Sequence, residues 1–253
     1  MKITVLGKSP AWQDAGGACS GYLVQEGDRS LLVDCGNGVF GKLREVVDYL
    51  DVDAVVVSHL HADHCFDLIP YAYALCYAPH ARARPRARPS LYVPPGGRAV
   101  LRGITGAWNT PELIEQAFDV VEYGPDRPVE LGPLRIAVHA VPHYVATFAI
   151  QVRAGGRSFT FGADCRPNDE LVAFARGTDL LMLEATLAAP EPDGPRGHLT
   201  AYEAGAHAQR AGARRLVLTH IAADADLEHA LAEARRAFDG PVEVARERAV
   251  YDI

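Results

Sequence analysis

The sequence predicts a layered α/β fold, and three observations carry that prediction. Short apolar runs of strand length alternate with amphipathic stretches of helix length along the whole chain, a pattern that argues against an all-β barrel. The chain has 253 residues, 49% hydrophobic and 23% charged, enough to bury a full core within one domain spanning 1–253. Several apolar runs end abruptly in histidine or aspartate, so polar chemistry is delivered from strand ends.

Taken in order, the strands are expected at 2–6, 21–25, 30–34, 54–58, 90–93, 134–140, 147–153, 157–162, 180–183, 215–219 and 242–245. Helices are expected at 38–50, 67–77, 111–118, 168–176, 200–211 and 226–238. Thr110-Pro111 supplies a cap and a first-turn proline, Gly177 and Gly212 supply stops, and Thr200-Ala201-Tyr202-Glu203 has the spacing of a capping box. Arg153-Ala154-Gly155-Gly156-Arg157 reads as a hairpin turn leading into Gly162-Ala163-Asp164. No internal repeat or glycine- and serine-rich linker divides the chain.

The N-terminal residues Met1 to Gly7 read as a first strand and turn. No apolar signal region or bilayer-length run is visible, so a cytoplasmic location without membrane association is expected. Cys19, Cys35, Cys65, Cys76 and Cys165 are an odd, scattered set without CxxC spacing, which indicates neither a disulfide framework nor a thiolate zinc site. Cys65 reads as a small buried thiol. A net charge of −7 disfavours broad binding of nucleic acid, although a local basic patch could hold one phosphate. A homodimer is compatible with this composition.

His59-Leu60-His61-Ala62-Asp63-His64 packs three imidazoles and a carboxylate into six residues directly after Ala54-Val55-Val56-Val57-Ser58. Imidazole nitrogen with carboxylate oxygen suits zinc, whereas magnesium or calcium would ask for oxygen alone. Further lone ligands, His143, Asp164 and His220, stand at comparable strand ends downstream.

The ordered set Ser58 to His64, Pro142-His143, Gly162-Ala163-Asp164 and Leu218-Thr219-His220 resembles the metallo-β-lactamase fold superfamily over most of the chain. The resemblance implies a four-layer αβ/βα sandwich with two zinc ions at one edge and a hydrolytic water between them; manganese or iron(II) are the alternatives. By position, His59, His61 and His143 would hold one ion, and Asp63, His64 and His220 the other, with Asp164 bridging. Asp34, in Leu32-Val33-Asp34-Cys35-Gly36-Asn37-Gly38, resembles the superfamily aspartate that orients a metal-bound histidine. Such an ion pair, roughly 3.5–4 Å apart, activates water and stabilises attacking and leaving oxygens, chemistry suited to a phosphodiester.

A finer resemblance runs through Leu183-Glu184-Ala185-Thr186, Gly197-His198-Leu199-Thr200-Ala201-Tyr202-Glu203-Ala204-Gly205 and Arg215 to His220. It is similar to the ribonuclease Z branch and its small phosphodiesterase relatives. Taken alone, His198 is a polar residue capping a helix; the resemblance sets it facing the scissile phosphate, oriented by Glu184. Asp63, His198 and Glu184 are thus the expected catalytic residues. No segment is free to form the glycine- and proline-rich arm with which ribonuclease Z grips tRNA. His143 is followed by Tyr144-Val145-Ala146-Thr147 where the branch commonly has a small polar residue or proline, although Thr147 matches its hydroxyl position.

The one basic run, His80 to Pro89 with Arg82, Arg84, Arg86 and Arg88, is broken by proline and reads as a mobile loop. A solvated connection is favoured there over a phosphate-steering lip. His80, His139, His207 and His229 carry ordinary roles, while Trp12, Trp108 and Tyr144 are candidates to line a base-stacking pocket. The favoured function is a dinuclear zinc phosphodiesterase for small or cyclic nucleotides. The alternatives are a tRNA 3′-processing endonuclease, a thioester or lactone hydrolase, and a non-catalytic metal protein. An antibiotic-hydrolysing lactamase is disfavoured, because Asp164 replaces a cysteine at the shared position.

Overall fold

The computed structural model describes residues 1–124, 127–191 and 196–253. Its strands in chain order are β1 Lys2–Gly7, β2 Gly21–Glu26, β3 Arg29–Val33, β4 Ala54–Val56, β5 Ser90–Val93, β6 Asp119–Glu122, β7 Val129–Leu131, β8 Leu134–Val141, β9 Thr147–Ala154, β10 Arg157–Phe161, β11 Leu180–Glu184, β12 Leu216–Thr219, β13 Val242–Val244 and β14 Val250–Asp252. Two seven-stranded sheets result, ordered β14-β1-β2-β3-β4-β5-β6 and β13-β12-β11-β10-β9-β8-β7. Each begins as an antiparallel meander and continues through parallel strands, β3 to β6 in one and β10 to β13 in the other. The two halves therefore repeat a topology that no repeat in the sequence announces.

Side-chain alternation assigns each strand residue to a layer. Leu31, Val33, Tyr22, Val24 and Val56 meet Ile150, Val152, Phe159, Phe161, Met182 and Val217 in one core between the sheets. Leu32, Val55 and Leu91 point the other way, toward α1 Val39–Val46, α3 Leu68–Tyr77, α5 Gly97–Gly106 and α6 Leu113–Ala117. Leu181, Leu183, Leu216 and Leu218 likewise cover α7 Asp169–Phe174, α8 Ala201–Ala211 and α9 Leu227–Ala237. Three apolar interfaces separate four layers, helix, sheet, sheet and helix, as the sequence predicts. The short helices α2 Ala62–Cys65 and α4 Pro79–Ala83 complete the set.

Several boundaries differ from expectation. The helix expected over 38–50 ends at Val46, and Asp48 then caps a separate 3₁₀ turn, Tyr49–Asp51. Leu113 opens α6, because Thr110 and Pro111 form a preceding turn in which the Leu113 N–H bonds Thr110 O. Asn168 caps α7, which stops at Phe174; Gly177 instead gives its N–H to Ala211 O. Helix α5 was not foreseen, since Gly96, Gly97 and Gly103 weaken any helical reading. The short edge strands β6, β7 and β14 were also missed. The Gly155-Gly156 hairpin, the Thr200–Glu203 capping box and the Gly212 stop are present. No helix among the described residues is long and apolar enough to cross a membrane.

One hydrogen bond crosses the inter-sheet core beside the site: the Tyr22 hydroxyl lies 2.6 Å from Thr219 Oγ1, both buried. Tyr22→Phe should lower unfolding free energy by about 1 kcal/mol, because one buried hydroxyl loses its partner. Urea denaturation tests this; an unchanged midpoint at unchanged slope would show that the bond contributes nothing.

Candidate active site

Strands β3, β4, β8, β10, β11 and β12 present their functional residues at or just beyond their C-terminal ends. These are Asp34, His59 to His64, His143, Asp164, Glu184 and His220. The ends of the two sheets converge along one edge, so residues 157 positions apart, Asp63 and His220, lie 3.1 Å apart through Oδ2 and Nε2. Three of these corners need unusual backbone: Asp34, Ala163 and His220 have φ of 58°, 53° and 52°. Left-handed conformation at a non-glycine residue costs about 1–3 kcal/mol and persists only where the surroundings enforce it. Close packing helps to enforce it: a Cβ on Gly36 would stand 1.8 Å from Asp63 O, so only glycine admits the loop after β3 against α2.

The hydrogen-bond network assigns the imidazole tautomers. His59 gives its Nδ1–H to Ser58 Oγ at 3.1 Å, and Ser58 Oγ–H bonds Asp34 Oδ2 at 2.8 Å. The His64 Nδ1–H bonds Asp34 Oδ2 at 2.7 Å, that of His143 bonds Gly197 O at 2.8 Å, and that of His220 bonds Thr186 Oγ1 at 2.8 Å. Each of these four rings is therefore left with a bare Nε2. His61 presents Nδ1 instead, 3.1 Å from His59 Nε2 and 3.2 Å from His143 Nε2.

Bare nitrogens this close repel one another unless a cation lies among them. Tetrahedral zinc with bonds of about 2.0–2.1 Å would space its ligand atoms by about 3.3 Å. The second cluster shows the same spacing: His64 Nε2 is 3.5 Å from Asp63 Oδ2 and 3.4 Å from Asp164 Oδ1, and His220 Nε2 is 3.3 Å from Asp164 Oδ2. His64 Nε2 and Asp164 Oδ1 are buried without any hydrogen-bond partner, which fits ligand atoms awaiting an ion. The donor set thus suits a pair of zinc-like ions, with His59, His61 and His143 on one side and Asp63, His64, Asp164 and His220 on the other. A ligand atom of Asp164 also lies within 4.8 Å of one on His143, as a shared carboxylate would.

Burial pushes His59 well below the ordinary imidazole value and His143 down to about 4, keeping both as neutral donors. Burial also opposes charge on His64, but Asp164 and Asp34 outweigh it and hold that ring well above its usual value, so an ion would bind Nε2 by displacing its proton.

Beside the clusters, Glu184 accepts the Cys165 N–H at 2.8 Å, the Thr186 hydroxyl at 2.6 Å and the His198 Nδ1–H at 3.0 Å. His198 stands with its ring centroid 5.0 Å from that of His143 and 5.7 Å from that of His220. The positioning roles of Ser58 and Thr186 were missed in the sequence, where both are ordinary hydroxyl residues; only their location beside histidine or glutamate hinted at them. Thr147 turns its hydroxyl onto Val145 O, 3.0 Å away within its own loop.

The arginine run is helical at its start, and its remainder, 84–89, forms no regular element, as the loop reading expects. It opens as helix α4 with Pro79 in its first turn, and its charges are held by carboxylates. Arg84 binds Asp48 and Asp51, Arg86 binds Asp51 at 2.8 Å, and Arg88 binds Asp119 at 2.5 Å. These carboxylates compete with any phosphate for the three groups, which favours the solvated connection. His80 pairs with Asp48, and His139 stacks on Phe174. The buried His207 bridges Glu203 O and the Asn168 N–H.

The family described as "Beta-lactamase superfamily domain" matches residues 29–221. The chain belongs to the beta-lactamase superfamily. Within that superfamily it is 32% identical, over all of both chains, to the Bacillus subtilis protein named "Probable metallo-hydrolase YhfI". The crystal structure of YhfI, titled a metallo-beta-lactamase fold protein, superposes with a TM-score of 0.89 over 99% of this chain and 98% of that one. Protein Rv1339 of Mycobacterium tuberculosis is 35% identical over 96% of this chain and 88% of its own. A ribonuclease Z of Halorubrum lacusprofundi is 30% identical over 95% and 93%. The superfamily's metallo-β-lactamase fold is thus the fold of this chain.

Asp34→Asn should lower metal affinity by about 10- to 100-fold while the fold persists, because the carboxylate fixes His64 directly and His59 through Ser58. Metal titration with circular dichroism checks this; undiminished affinity would refute the orienting role. Arg86→Ala should leave kcat/KM unchanged, and a marked fall would restore the steering loop.

Proposed function

We propose that this member of a metallo-hydrolase family is a phosphodiesterase acting on small or cyclic nucleotide diesters. The observation that carries the reading is the buried Glu184–His198 pair beside the ligand clusters. Divalent ions held by His59, His61, Asp63, His64, His143, Asp164 and His220, zinc by donor chemistry, would supply a nucleophile from water and charge stabilisation on the phosphoryl group. The protein's own share begins with Glu184, whose carboxyl burial raises above its ordinary value while the hydrogen bond and charge of His198 pull it back down. Burial likewise works against a charge on His198; the hydrogen bond and charge of Glu184 outweigh it and raise the imidazole above its ordinary value. His198 can then hold a proton on Nε2 for a departing oxygen.

That proton selects among substrates. An alkoxide leaving group is strongly basic and needs protonation as it departs, whereas a thiolate leaves without help; the pair therefore supports a phosphodiester over a thioester. Thr186 joins His220 Nδ1 to the same carboxylate, so the acid and a ligand histidine are positioned together.

Small diesters are favoured over tRNA for two reasons. Net charge is −7, and Arg84, Arg86 and Arg88 of the arginine run are already paired. The Halorubrum ribonuclease Z aligns over 294 positions, more than the 253 residues of this chain, and so carries segments without counterpart here.

His198→Ala should retain its metal and lose kcat by about a hundredfold or more; loss of metal with normal rate per bound ion would make His198 a ligand instead. The zinc-loaded protein should hydrolyse cyclic nucleotides or an aryl phosphodiester with weak salt dependence and leave precursor tRNA trailers intact. Efficient, accurately placed trailer cleavage would promote the endonuclease reading.

A further inference from the structure

We propose that Tyr144 is an aromatic platform that receives the planar group, a nucleobase or aryl ring, of the substrate. The inference rests on the phosphodiesterase reading and extends it to the determinant of substrate choice.

Tyr144 follows His143 in the loop between β8 and β9. It is among the most exposed large apolar side chains, with 50% of its surface accessible. Its ring centroid lies 4.8 Å from that of His143 and 5.9 Å from that of His198. It therefore flanks both a ligand histidine and the proposed acid, and any group bonded to a phosphorus between them comes within reach of the ring.

The position is enforced by the neighbouring segment. A Cβ on Gly197 would stand 2.4 Å from Tyr144 Cε2 and 2.6 Å from Cζ, so the ring lies directly on the Gly197 backbone. The same glycine accepts the His143 Nδ1–H through its carbonyl, and His198 follows it in sequence. Glycine at 197 thus serves two ends: it brings a ligand histidine to a backbone acceptor and makes room for an aromatic ring over the backbone. An aromatic ring held at a site mouth with half its surface in water is poorly explained by packing, since a smaller residue would cover Gly197 without exposing apolar area.

A base stacked on such a ring gains affinity that alanine substitution removes, roughly fivefold to a hundredfold. The contact needs only a π-face, so it would accept several bases while rejecting diesters with no planar group. It would also secure a small nucleotide without an RNA-gripping arm.

The test uses the metal-loaded protein and two ligands that differ in the base alone, adenosine 5′-monophosphate and ribose 5-phosphate. Calorimetry on the natural chain should show the nucleotide bound at least fivefold more tightly. Tyr144→Phe should keep that preference and Tyr144→Ala should abolish it while leaving ribose 5-phosphate affinity unchanged. With an aryl phosphodiester, Tyr144→Ala should raise KM and spare kcat. The platform is overturned if the natural chain shows no preference, if the preference survives in Tyr144→Ala, or if Tyr144→Ala weakens both ligands equally, as a packing role would. Failure of the phosphodiesterase reading has a separate signature: a base preference that depends on Tyr144 in a protein that cleaves no phosphodiester.

Discussion

Three imidazole nitrogens, of His59, His61 and His143, converging at 3.1–3.2 Å are the constraint on which the rest of this structure depends. Bare imidazole nitrogens gathered this tightly do not satisfy one another by hydrogen bonding, and the protein alone does not relieve the conflict. The surroundings are arranged to hold it. Asp34 receives Ser58 and His64, Gly197 receives His143, and Thr186 receives His220, so every ring but His61 is pinned from behind. Left-handed corners at Asp34, Ala163 and His220 mark where the backbone bends sharply to aim these side chains inward.

The layered architecture makes that convergence achievable. Strands β3, β4, β8, β10, β11 and β12 all direct their C-terminal ends toward one edge, and each loop needs to travel only a few residues to reach the centre. Apolar side chains between the sheets lock the two edges together without entering the site, and the helices seal the outer faces. The Tyr22–Thr219 contact joins the sheets one residue before His220. Displacing one sheet against the other would therefore move His220 relative to Asp63.

Glu184 links the ligand clusters to the proposed chemistry. It is fully buried, which raises its carboxyl above the ordinary value, and it accepts from Cys165, Thr186 and His198. Through Thr186 it touches the back of His220, a candidate ligand, and it holds His198, the proposed acid, directly. A single carboxylate thus ties the orientation of the candidate ligand His220 to that of the proposed proton donor His198.

The sequence by itself determined the alternating α/β pattern, the strands whose ends carry ligands, and all seven residues that converge, because tight ligand spacing and strand-end placement are local signals. Asp34 and the Glu184–His198 pair were readable through resemblance to a family. Helix α5 was not, since its glycines argue against a helix that only packing on the sheet supports. The ion pairs of the arginine run were not readable because its partners, Asp48, Asp51 and Asp119, are distant in sequence, and ion pairing across such separations leaves no periodic trace. Tertiary structure alone decided which imidazole nitrogen faces inward, what Ser58 and Thr186 do, and where the Tyr144 ring rests. Each of these depends on distances between chain segments, which no local pattern of residues encodes.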